Sequence, residues 1–204
     1  VKFRQAARPV LVLPSNYREV SYMSINERGM LIWLNVMSLV PLAIAGLLVF
    51  GSLLVYHGEL GAPLMVRALP DEIPPAVGFA MILLVLPLHE WIHGLAIRHY
   101  GHKPRYGVKR FVLFATSDGA LFRRDEFIRI ALAPLAVITA IGAGVMLFVP
   151  PDVGGWVGWA VVVNAAGAIG DLWMTSVSLR YDSSVLIRDE EDSMRIFARM
   201  DIPR

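Results

Sequence analysis

Two histidines four residues apart, His89 and His93, bracket Glu90 in the stretch LPLHEWIHGLAIRHY. On a helix they share one face about a turn apart, the spacing that lets two imidazoles bind a single tetrahedral zinc ion. In such an HExxH pattern the glutamate is not a ligand. It orients a water molecule and takes its proton for attack on a polarised carbonyl. His89 and His93 are therefore the expected metal ligands and Glu90 the expected general base. Ionisable residues inside an apolar run are costly and seldom idle.

Catalytic zinc takes three protein ligands and leaves a fourth position for water. The chain has no cysteine, which excludes disulfides, iron–sulfur clusters and thiolate zinc sites. Among the other histidines, His57 falls at the far end of an apolar run, and His99 and His102 lie beyond the motif. His99 is roughly 15 Å along the helix axis from His89. Asp171 is the only charge inside the last apolar segment. Counted at helical rise, His89 comes roughly 24 Å after Ile73 and Asp171 roughly 27 Å after Val153, so both reach a similar depth. Asp171 is the expected third ligand, a hydrogen-bonded packing aspartate being the other reading. Asn164 precedes it by two helical turns and is expected on nearly the same face, where it could donate a hydrogen bond to a substrate carbonyl or join two helices. Gly94, Gly167 and Gly170 leave room for a close approach of substrate or of backbone.

These residues need elements to hold them, and the composition says which. Of 204 residues, 56% are hydrophobic and 18% charged, too apolar for an ordinary soluble domain of this size. The expectation is an all-α multi-pass membrane protein of four helical spans, about residues 30–56, 73–97, 127–149 and 153–179. A polar leader, 1–29, without a signal-peptide pattern and a polar tail, 180–204, flank them. Pro41, Pro87 and Pro134 fall inside spans, where neighbouring helices or side chains can satisfy the freed backbone groups.

Lysine and arginine set the orientation. The leader has Lys2, Arg4, Arg8, Arg18 and Arg28, and the first loop only Arg67. The second loop carries Arg98, Lys103, Arg105, Lys109, Arg110, Arg123 and Arg124, and the tail Arg180, Arg188, Arg195, Arg199 and Arg204. Both termini and the second loop are thus expected to be cytoplasmic, in a cell membrane. Within that loop, RYGVKRFVLFATSDGALF is rich in strand formers with a turn signal at Asp118-Gly119, which predicts a small β-hairpin or an interfacial segment. The tail DEEDSMRIFARM reads as a solvated, partly helical end or an autoinhibitory segment. Ala136, Ala140, Gly144, Gly154 and Gly158 suit close helix packing. Basic residues do not alternate with aromatics, so no nucleic-acid partner is expected.

The motif HEWIHG, the stretch IRIALAPLAV, the last span's NAAGAIGDLWM and the tail RYDSSVLIRDEEDSMRIF resemble the membrane zincin peptidases, a family related to the site-2 proteases. The resemblance covers the chain from about Leu11 onward. It implies that His89, His93 and Asp171 bind Zn2+, that Glu90 is general base and acid, and that Asn164 contacts substrate. IALAPLAV lacks the glycine of the Ala-Gly-Pro-like stretch of site-2 proteases, and Asp171 is followed by Leu172 where they have glycine. The expected function is hydrolysis of peptide bonds near the cytoplasmic membrane face, in a membrane-embedded or membrane-proximal protein substrate. A non-proteolytic membrane metal-binding or transport protein using the same residues is the rival. No internal repeat of the inverted transporter kind is visible.

Overall fold

A computed structural model describes residues 9–24, 28–57, 75–109, 112–149, 151–191 and 193–200. The first apolar stretch, Gly29–Val55, is helical over 27 residues. It is nevertheless two helices, α1 (Arg28–Met37) and α2 (Leu39–His57). Pro41 explains the break at Ser38: it lacks the N–H that would bind the Met37 carbonyl, and its ring crowds that oxygen. The second is one helix, α3 (Pro75–His99). It ends in a Schellman turn, with Gly101 at φ 83° donating to Arg98 O at 2.9 Å and His102 donating to Ile97 O at 3.2 Å.

The third stretch is α4 (Arg124–Met146). It opens with the glutamate half of a capping box, the Glu126 carboxylate accepting the Arg123 N–H at 3.0 Å. The fourth departs from the expected single span. It is α5 (Pro151–Gly167) followed by α6 (Ile169–Ser178), bent by 43°. The break falls at Ala168 between Gly167 and Gly170, two residues that weaken a helix most apart from proline. Among the described residues, three helices are long and apolar enough to cross a membrane, or four if the bent pair is one span.

The chain is mostly helical rather than all-α. The expected hairpin is present, pairing β2 (Arg105–Lys109) with β3 (Val112–Thr116). Asp118-Gly119 is not its turn. That pair, with Gly119 at φ 67°, leads from β3 towards β4 (Phe122–Arg123). The tail is not the solvated, partly helical end expected, and it pairs with the leader. Together they supply β1 (Tyr17–Ser24), β5 (Leu186–Glu190) and β6 (Ser193–Arg199) to an antiparallel sheet in the order β1-β6-β5-β4. The tail is extended because its apolar residues alternate. Met194 and Ile196 are buried on one face, and Phe197 lies on the other with Leu121 and Leu186. The first loop with Arg67, the start of the second span at Ile73, and Lys2, Arg4, Arg8, Arg110 and Arg204 lie outside the described residues.

By compactness the chain forms two units. One, Val1–Leu31 with Glu90–Ala133 and Asp171–Arg204, holds the sheet and a core of Ile97, Phe122, Phe127, Ile130, Val177 and Ile187. The other, Ile32–His89 with Pro134–Gly170, packs Val49 and Leu53 against Met146, Val161 and Val162. There Gly158 earns its place, since an added Cβ would stand 2.9 Å from Val49 Cγ1.

Candidate metal centre

α3 carries His89 and His93 one turn apart, both buried. Each has one ring nitrogen already committed. His89 Nδ1 lies 2.9 Å from Asn164 Oδ1, and His93 Nδ1 lies 2.9 Å from the Ile130 carbonyl. An oxygen of either kind can only accept, so both Nδ1 atoms carry the hydrogen, and in a neutral ring the lone pair then lies on Nε2. This is the arrangement in which a histidine serves a metal, one nitrogen ligating and the other donating to an oxygen that holds the ring.

Asp171 comes from the first turn of α6, where the helix dipole favours a negative charge. Its Oδ1 is 3.4 Å from His93 Nε2. That is long for an N–H···O hydrogen bond. Two ligands of one tetrahedral zinc ion stand roughly 3.3 Å apart at ordinary bond lengths, so the pair could serve one metal without moving apart. His89, His93 and Asp171 each offer a ligand atom within 4.8 Å of the others. The donor set fits zinc: two imidazoles and a carboxylate, three ligands, no thiolate.

Glu90 follows His89 on α3, half-buried and turned about 100° round the helix. It stands beside the histidine face without joining the group. Gly94 follows His93 on the same stripe as Glu90, and the space its side chain would fill is taken by the Tyr106 ring and hydroxyl from β2.

Asn164 does not share a straight helix with Asp171, because the bend at Ala168 separates them. Its side chain is 1% exposed. The oxygen is the partner of His89, whereas Nδ2 has no hydrogen-bond partner among the described residues. His99 is exposed, and His102 stacks edge-on to Phe122 with its pKa lowered by burial. Neither joins the group.

Asp189 of β5 was not singled out by the sequence. It shares a strand face with Ile187, which packs into the core beside Ile97 and Ile130. Thr116 Oγ1 donates to its backbone carbonyl at 3.1 Å. Burial, above all, pushes its carboxyl up to about 7, with Asp171 and Glu90 raising it further and His93 opposing them. A strand pattern in the tail would have been the only clue, and five charges in succession, Arg188 to Asp192, hide it.

No curated protein and no solved structure matches this chain. A protein-family profile described as "Putative zincin peptidase" matches residues 82–186, just over half of the chain. The matched stretch contains His89, Glu90, His93, Asn164 and Asp171, and on that match the chain belongs to the Putative zincin peptidase family.

Proposed function

We propose that the protein is an intramembrane zinc metallopeptidase of site-2-protease-like type, hydrolysing peptide bonds near the cytoplasmic face of a cell membrane. The observation that carries this reading is the convergence of His89, His93 and Asp171, with both histidine rings held through Nδ1. Bound zinc would supply Lewis acidity, polarising a carbonyl and making water nucleophilic at neutral pH. His89 Nε2, His93 Nε2 and an Asp171 oxygen hold it. Glu90 accepts the proton of the attacking water and delivers it to the departing amine. Asn164 holds His89 through its oxygen and offers Nδ2 to the oxygen of the scissile carbonyl.

The apolar faces of the helices support the membrane setting. Leu47, Leu48, Val55, Leu83, Leu84 and Phe148 are all more than 60% exposed, a surface suited to lipid tails rather than water. The basic residues at the end of α3, Arg98, and at the start of α4, Arg123 and Arg124, support a cytoplasmic position for that end, and with it for both termini. The substrate is then a membrane-embedded or membrane-proximal protein segment.

The test is the purified, full-length protein in detergent with candidate single-span substrates. Wild type is expected to hold one zinc per chain and to cleave; Glu90→Gln should keep the zinc and lose cleavage, and His93→Ala should lose both. Equal cleavage by wild type and Glu90→Gln would sink the mechanism, and no bound metal in wild type would sink the centre itself.

A further inference from the structure

His93 is held by a backbone carbonyl inside a helix, and such an oxygen is normally already in use. In α4 the Ile130 carbonyl should accept the N–H of the residue four positions on. That residue is Pro134, which has no N–H. The oxygen that the helix leaves unused is the one 2.9 Å from His93 Nδ1. The proline thus does its work by what it lacks, one turn away from the atom that benefits.

We propose that Pro134 is a positioning residue of the metal centre: by withholding an N–H it leaves the Ile130 carbonyl to His93, fixing that ring with Nε2 towards Asp171. The inference rests on the metal-centre reading for its consequence, but the hydrogen bond itself does not require a metal. A carbonyl has two lone pairs, so an N–H at position 134 need not expel His93. It would share the oxygen along the helix axis and weaken a bond that reaches it from the side. The other two span prolines release carbonyls as well, Met37's by Pro41 and Leu83's by Pro87. Among the described residues only the Ile130 oxygen is met by a ligand histidine.

The test uses full-length protein in detergent and zinc as the only probe. Pro134→Ala and Pro134→Gly both restore the N–H but differ in helix propensity, so an effect common to both tracks the N–H. Each is expected to weaken zinc binding about tenfold or more, as for loss of other hydrogen-bond partners of ligand histidines. The His93 Nδ1–H resonance, assigned by its absence in His93→Gln, should exchange faster with solvent in both variants. Pro41→Ala, which restores an N–H far from the site in sequence, should match wild type in both measurements. Wild-type zinc affinity and wild-type exchange in both Pro134 variants would overturn the proposal. Recording the resonance in metal-free protein separates the two readings. Wild type that binds no zinc overturns the metal centre, whereas unchanged exchange without metal overturns the role of Pro134.

Discussion

The candidate centre rests on hydrogen bonds that point away from the place a metal would occupy as much as on the residues that could hold one. His89 and His93 present Nε2 only because Asn164 and Ile130 hold Nδ1. Replacing Asn164 by alanine leaves the His89 ring free to rotate and its Nδ1–H buried without a partner. Zinc affinity should fall by roughly 10- to 100-fold, measured by competition with a chelating dye. Asp189 yields a prediction of the opposite kind, since it burdens the fold. Its carboxyl is held up to about 7 in the folded protein, above the ordinary aspartate value of 3.8. Folding therefore takes up a proton between those values, and stability present below about 4 is lost as pH rises through about 7. Asp189→Asn, uncharged throughout, should flatten this dependence in denaturant titrations of metal-free protein at pH 4.5, 6 and 8. An unchanged slope would show that Asp189 is not the titrating group.

At the scale of elements, the bent pair α5–α6 and the tail strands define what surrounds the ligands. The bend at Ala168 turns Asp171 from a mid-span residue into a first-turn residue of a new helix, the end towards which backbone N–H groups point. Beside it, the sheet ties the C-terminal tail to the helices through Ile187, which is 0% exposed and packs with Ile97, Phe127 and Ile130. Truncating that side chain should cost about 2–5 kcal/mol, the range for large buried aliphatic residues. Ile187→Ala is expected to lower the thermal midpoint and to speed proteolysis of the tail. A solvated tail would show neither effect. The strand also explains why the tail tolerates its charges. Arg195 donates to Glu19 at 3.0 Å and to Glu190 at 3.1 Å, lies over the Tyr22 ring, and so staples β6 to its neighbours from the outer face.

For the whole molecule, the absence of cysteine makes orientation directly testable. Single cysteines placed at Ser183 in the tail and at Glu59 in the first loop should label on opposite sides of the membrane in intact cells. Only Glu59→Cys should react with an impermeant maleimide. Reaction of Ser183→Cys would invert the proposed orientation. What was legible in the sequence was local. The helical repeat puts His89 and His93 on one face, uninterrupted apolar length marks the spans, and the same length arithmetic singles out Asp171 as the equally deep charge. What escaped was set by residues far apart in the chain. Asn164 meets His89 across 75 positions, and β1 meets β6 across 169 to 182, pairings that no local period encodes. The break at Ala168 was missed for a related reason, because glycines flanking it are compatible with a straight helix or a bent one, and packing chooses. The residue types alone thus singled out a histidine pair of metal-binding spacing and a lone acid in the last apolar segment. Only the tertiary structure decided which oxygen holds each ring, because hydrogen bonds act over about 3 Å and only the folded chain brings those oxygens within reach.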